Sequence, residues 1–284
     1  MKRADLPLVT FTLLGQLALG AVVLAAMQPL YPAGQAPGAV TAAQALALAA
    51  AAALLTGLAV SLLHLGTPLG AVRALGNLGS SWLAREVLFS GLFAALTLGA
   101  ALSPFLGLPT DNLLMLSVLT GLAAVFTMAR VYQVTIHPAW STPYTAVSFF
   151  SAAALLGVAA GAVLLAVLGA PAIPLAPALL LAGGTALVLQ LAATVLYGLG
   201  LANGPRAARE AWSLLASRHR LSVTLRFAAS LLGLGALTFA DHLLGAGSPA
   251  APWLALNAAV ALVAGELMGR LLFFAAGVPN RVGI

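Results

Sequence analysis

The chain has 284 residues, of which 62% are hydrophobic and only 6% charged, and its mean hydropathy is +1.08. Soluble domains carry about 25% charged residues, so a water-soluble fold of this size would have no surface to offer solvent; continuous apolar runs, rather than alternating ones, exclude a β-barrel. The net charge of +6 sits in short loops and near helix ends with no basic stripe among aromatics, which argues against nucleic-acid binding, and the lack of cysteine removes disulfides, thiolate zinc sites and cysteine-ligated iron–sulfur clusters.

What remains is an all-α integral membrane protein. A span needs roughly 20 apolar residues, and the pattern predicts eight within one membrane domain covering 1–284: 7–29, 41–66, 82–103, 111–135, 145–169, 177–202, 221–244 and 251–276. The breaks are QPLYPAGQAPG, TPLGAVRALGNLGSS, SPFLGLPTD, HPAWSTPY, GAPAIPLAP, NGPRAARE and GAGSPAAP, and each carries the Pro or Gly expected where helices stop and restart. No internal repeat is evident. The first span follows Lys2 and Arg3 but is too long for a signal-peptide core, so it reads as a retained helix. Thr110-Asp111 and Ser248-Pro249 read as capped helix starts.

Eight spans put both termini on one side, here side A. That side holds Lys2, Arg3, Arg73, Arg206, Arg209, Arg218, Arg220 and Arg281, whereas the loops of side B hold no Lys or Arg, so the positive-inside rule makes side A, with both termini, cytoplasmic. A competing explanation for the arginine-rich 203–220 loop is that it docks an acidic partner subunit on side A.

Polar groups inside the spans are costly and mark sites, and here they gather in the side A half. His64 ends the second span, and Glu86 lies about one turn into the third, with Arg85 pointing roughly 100° away from it. Arg130 lies about one turn inside the fourth, close to Tyr132, and Gln16 on the first span matches the depth of Glu266 on the eighth, roughly 14 Å inside. Only Asp111, Asp241, His242 and Gln28 occupy the other half, all near helix ends.

Each group has a plain structural reading beside the functional one. Glu266 and Arg270, spaced i,i+4, are expected to form a structural ion pair. Arg130 either snorkels to the headgroups or serves a pocket. His64 alone would serve as an interfacial residue, but Glu86 one turn inside lipid must find a partner or take up a proton. Together the two suit the binding and oxidation of a quinol, whose hydroxyls need acceptors and whose oxidation releases two protons. Gln16, Arg73, Arg85, Arg130 and Tyr132 are candidates for the surrounding pocket. A haem needs facing mid-span histidines, and His64, His137, His219 and His242 all lie at span ends or in loops. This chain is therefore expected to bind no haem, iron–sulfur cluster or metal, and electrons leaving a quinol must pass to a partner.

Four stretches carry a family resemblance: LPLVTFTLLGQLALGA, LLHLGTPLGAVRALGNLGSSWLAREVLFSG, MARVYQ with the TP that follows, and LVAGELMGRLLFF. They resemble, in order along the chain, the DmsC family of membrane-anchor subunits of dimethyl sulfoxide reductase and related molybdoenzymes. The HLG-x-P motif with the later Glu is the most specific part, followed by GELxGR. The resemblance implies an eight-helix, quinol-oxidising anchor without its own cofactor, placed in the prokaryotic cytoplasmic (inner) membrane and serving anaerobic respiration. It implies a four-cluster ferredoxin-like iron–sulfur partner, a molybdopterin catalytic subunit, and menaquinol binding by the residues matching His64 and Glu86. Arg73 matches more loosely, and the 203–220 loop departs from the family pattern. Alternatives are an anchor whose terminal acceptor is polysulfide, thiosulfate or tetrathionate, a proton-coupled secondary transporter, and a purely structural anchor.

Overall fold

The computed structural model describes residues 6–27, 39–64, 73, 75–168 and 176–279. Its long helices are α1 (Leu6–Met27), α2 (Ala39–His64), α3 (Trp82–Leu106), α4 (Thr110–Gln133), α5 (Pro143–Leu168), α6 (Ala176–Ala202), α8 (Arg220–Gly245) and α9 (Ala251–Ala275), with a short α7 (Arg206–Ser213) between α6 and α8. All but α7 are long and apolar enough to cross a membrane. Lipid offers no hydrogen bonds, so each span satisfies its own backbone as a helix, and the ends fall within three residues of those expected from composition.

The helix starts follow the expected positions but not the expected caps. Pro109 stands at the N-cap of α4 with no side-chain bond, and the Thr110 hydroxyl instead meets Ser103 at 2.6 Å. At α9 the Ala250 amide donates weakly to the Ser248 hydroxyl at 3.4 Å. The well-formed cap is Ser81, whose hydroxyl accepts from the Ala84 amide at 3.2 Å and opens α3. That helix ends at Gly107, in the left-handed conformation (φ 63°) that stops a helix and that glycine adopts without a Cβ penalty.

The spans close into two rings of four. α1, α2, α3 and α4 pack in sequence, and α1 returns against α4; α5, α6, α8 and α9 do the same, with α5 against α9. The rings meet mainly along α1 and α5, where Gly20 and Gly157 let the two backbones touch: a Cβ on Gly157 would stand 2.8 Å from the Cα of Gly20. Small residues permit such approach where lipid supplies no hydrophobic drive between helices. α6 and α8 form the loosest contact between neighbouring helices of either ring.

The arginine-rich 203–220 segment, expected as a loop, is instead an amphipathic helix. α7 runs into a π-helical turn (Leu214–Arg218), buries Ala207, and packs Ala208, Ala211 and Leu215 against Tyr197 and Leu201 of α6 and Leu272 of α9. Arg206 and Glu210 pair at 3.1 Å on the exposed side. The apolar spacing at 207, 208, 211 and 215 is one helical stripe, which charge counting conceals.

Candidate functional site

The polar groups of the side A half fall into two clusters. The first sits at the start of α3. Arg85 folds back on the preceding turn, donating from Nε to the Leu78 carbonyl at 2.8 Å and from Nη2 to that of Gly79 at 2.7 Å. Its guanidinium lies 4.4 Å from the centre of the Trp82 ring, and Arg130 of α4 approaches the same ring at 4.9 Å. Arg130 also donates to the Gln133 side-chain oxygen at 3.0 Å, and Gln133 donates to the Thr142 carbonyl at 2.9 Å. Both arginines are thus held by the helix ends and the indole, and Arg73 is exposed.

Glu86 stands one turn beyond Trp82 on α3, so it shares the face on which the indole lies. It is buried, at 7% exposure, and makes no hydrogen bond or ion pair among the described residues. His64 closes α2, but its side chain lies outside the described residues, as does 65–72. The expected juxtaposition of His64 with Glu86 therefore also lies outside them.

The second cluster crosses five helices in the other half of the molecule. Glu266 of α9 accepts from Gln190 of α6 at 3.0 Å, and its second oxygen faces Arg226 of α8 at 3.8 Å. Arg226 donates to the Tyr144 hydroxyl on α5 at 3.2 Å. Arg270, one turn after Glu266, turns the other way: it donates to the Gln16 oxygen on α1 at 2.7 Å and stacks on Phe149 of α5 at 3.8 Å. All five of Gln16, Gln190, Arg226, Glu266 and Arg270 are buried.

This corrects the expected Glu266–Arg270 ion pair. Local i,i+4 spacing favours such a pair on an isolated helix by only about 0.2–0.5 kcal/mol, and packed neighbours outcompete it on both sides. Glycines decide which neighbour reaches α9. A Cβ on Gly269 would stand 2.5 Å from Arg226 Nε, and one on Gly265 would stand 2.7 Å from the Ser230 hydroxyl. Gly265 and Gly269 thus cut a groove in which α8 lays Arg226 and Ser230, beside the Glu266 carboxylate.

Arg226, Gln190 and Tyr144 are not singled out by the sequence; Arg226 follows Arg218 and Arg220 closely enough to read as one more interfacial arginine. Tyr132 belongs to an aromatic knot: its ring meets Trp140, Phe149, Phe273 and Phe274 at 5.3–5.8 Å. Trp140, from the loop between α4 and α5, donates to the Phe273 carbonyl at 2.7 Å and meets the His137 ring at 4.2 Å, tilted by 34°. Partial burial holds the His137 imidazole below its ordinary range. In the arginine-rich segment, Arg209 bonds the Gly204 carbonyl at 2.8 Å, while Arg218 and Arg220 are exposed.

The family model described as the DMSO reductase anchor subunit (DmsC) matches residues 1–276. The protein is 29% identical over 238 residues to the C subunit of the anaerobic dimethyl sulfoxide reductase of Escherichia coli (strain K12), covering 80% of this chain and 79% of that protein. It is 30% identical over 234 residues to the YnfH subunit of an anaerobic dimethyl sulfoxide reductase of the same strain, with the same coverage. To the C subunit of the corresponding reductase of Haemophilus influenzae it is 29% identical over 157 residues, 54% of this chain and 56% of the other. No solved structure matches it.

Proposed function

Because the protein belongs to the DMSO reductase anchor subunit (DmsC) family, and so is a membrane anchor of a molybdoenzyme complex, we propose that it binds and oxidises menaquinol. The observation that carries this reading is the contrast between Glu86 and Glu266, the buried glutamates among the described residues. Glu266 is bonded by Gln190 and faces Arg226, whereas Glu86 is buried with no partner among the described residues. A buried carboxyl without a partner is costly, and groups of this kind inside a membrane span mark functional sites.

In this reading His64 accepts a hydrogen bond from one quinol hydroxyl and takes its proton, and Glu86 serves the proton path from the head group to water on side A. Trp82, clamped by Arg85 and Arg130, fixes the wall behind Glu86. Oxidation of quinol to quinone yields two protons, which leave by this path, and two electrons, which pass to the nearest cluster of a four-cluster iron–sulfur subunit. A molybdopterin subunit of the dimethyl sulfoxide reductase type then consumes the electrons. The partner docks on side A of the prokaryotic inner membrane, where α7 and the turn after it display Arg206, Arg209, Arg218 and Arg220 to an acidic surface.

The test is made on the assembled complex. His64→Ala should weaken binding of a menaquinol analogue at least about tenfold, the effect of one lost hydrogen bond of about 1.4 kcal/mol. Glu86→Gln should keep binding and slow quinol-driven turnover by about 10²-fold, as loss of a proton-transfer group does. A water-soluble reduced viologen, which delivers electrons directly to the partner, should drive both variants at the wild-type rate. Unchanged quinol-driven turnover in both would refute the assignment.

A further inference from the structure

Behind the Glu266 network lies a chamber of about 310 Å³ on the side A end of α6, α8 and α9. Arg226 lies at its inner end with Tyr144 and Thr194, while Trp212, Tyr197 and Arg220 also line it. Three observations give this chamber a charge. Glu266 is the one carboxylate in a buried network with two guanidiniums, Arg226 and Arg270, which leaves one positive charge uncompensated among the described residues. The Arg226 side chain is 5% exposed, yet its Nε has no hydrogen-bond partner, and it lies over Gly269, which also lines the chamber. Its contact with Glu266, at 3.8 Å, is also longer than the roughly 2.7–2.9 Å of a charge-assisted bond.

A buried network that carries a net positive charge and reaches the chamber through Arg226 favours an anion there. The entrance is positive as well. Arg220 is exposed at the first residue of α8, and the N-cap there, His219, makes no side-chain cap, so the helix dipole adds to the field. The walls are otherwise apolar or aromatic, from Leu215, Val223, Phe227 and Leu272. Trp212 is 39% exposed, and an indole of this kind favours the membrane–water boundary. Further along α8, exposed Leu231 follows Thr224 at i+7 and Phe227 at i+4 on the face that lines the chamber, an apolar track for acyl chains.

We propose that this chamber binds the phosphate of an anionic phospholipid, with Arg226 and Arg220 on the phosphate and the acyl chains leaving between α6 and α8. Its volume sits at the lower end of the roughly 300–1,000 Å³ of small-ligand sites, enough for a glycerophosphate group but not for the tails. The site lies on α5–α9, apart from His64 and Glu86 on α2 and α3, so it stands or falls independently of quinol oxidation. By holding α6 to α8 and balancing the excess positive charge of the Arg226, Glu266 and Arg270 network, the lipid would complete the second ring of helices.

The test reloads delipidated, detergent-purified complex with phosphatidylglycerol or phosphatidylcholine and counts retained lipid by native mass spectrometry, comparing variants of this subunit alone. Wild type should retain one more tightly held phosphatidylglycerol than Arg226→Met, with retention falling at least about fivefold, the ratio given by one basic contact near an anionic headgroup. Arg226→Met can fail to assemble, so Ala216→Trp is made in parallel: Ala216 is exposed, lines the chamber and lies outside the ion network. It should give the same loss of phosphatidylglycerol with phosphatidylcholine unchanged. Undiminished retention in Ala216→Trp, or equal retention of phosphatidylcholine, would overturn the proposal. Displacement of the lipid by inorganic phosphate would reassign the site to a soluble anion, and displacement by a menaquinone analogue would reassign it to the quinol; both overturn it.

Discussion

The pairing of Glu266 with Arg226, and not with Arg270, makes a quantitative prediction for double-mutant cycles. Across 3.8 Å, two unit charges interact by about 4 kcal/mol at an effective dielectric of about 20. Removing one partner also leaves the other charge buried, which costs about 3–5 kcal/mol in comparable cases. Glu266→Gln keeps an oxygen for Gln190 and removes only the charge, so Glu266→Gln and Arg226→Met should each destabilise by several kcal/mol. Their double variant should fall short of the sum by about 2–3 kcal/mol, because the second substitution removes an interaction already lost. Arg270 has its own partners in Gln16 at 2.7 Å and the Phe149 face at 3.8 Å, so the Glu266→Gln/Arg270→Met cycle should couple by under about 1 kcal/mol. The measurement is the thermal midpoint at which purified complex loses its monodisperse form, read for all single and double variants. Coupling to Arg270 equal to or larger than coupling to Arg226 would refute the assignment of partners.

Glycine substitutions should separate backbone seams from side-chain grooves. Gly20→Ala places a Cβ against the Ala153 carbonyl and 2.5 Å from the Gly157 Cα, so α1 and α5 must part, and assembled protein should fall sharply in membranes. Gly269→Ala meets the flexible end of Arg226 at 2.5–2.6 Å and should cost less, about 1–3 kcal/mol in the same thermal assay. Gly184→Ala, with nothing within 4 Å on α6, should be neutral or stabilising by about 0.5–1 kcal/mol. His137 gives a pH prediction. Its lowered pKa means that the folded loop binds the proton less readily than an unfolded one, so local stability is fully present above the ordinary imidazole value near 6.5 and is lost as pH falls below it. Hydrogen exchange of the 134–142 amides should quicken over that range in wild type and not in His137→Phe.

The eight spans were legible because a membrane demands only length, apolarity and internal backbone bonding, all of which are local properties. The amphipathic α7 was harder to see, since its buried stripe is made of alanines that composition treats as neutral. The polar network was legible in depth but not in pairing. Sequence placed Gln16 and Glu266 at one level, and the Arg270 side chain reaches Gln16 across 254 positions of chain. The partner of Glu266 lies on another helix, and only the packing of α8 on α9 through Gly265 and Gly269 selects it. Arg226 does not stand out because it lies near the start of its span, where an arginine also reads as an interfacial residue.

The two motifs that resemble the anchor family separate into two kinds of polar letter. In GELMGR every polar or small position has a packing duty: Gly265 and Gly269 receive Ser230 and Arg226, Glu266 binds Gln190 and faces Arg226, and Arg270 ties α9 to α1. In such a motif the charged groups serve packing, with Glu266 tying α9 to α6 and α8. In SSWLAREV the serine caps, the tryptophan is clamped by Arg85 and Arg130, and Arg85 pins the turn before it. Glu86, by contrast, is buried with no hydrogen bond or ion pair among the described residues. Ser90, one turn further along the same face of α3, is likewise buried with an unpartnered hydroxyl, so a carboxyl and a hydroxyl with free hydrogen-bonding capacity lie together on α3, outside the network that holds the second ring together.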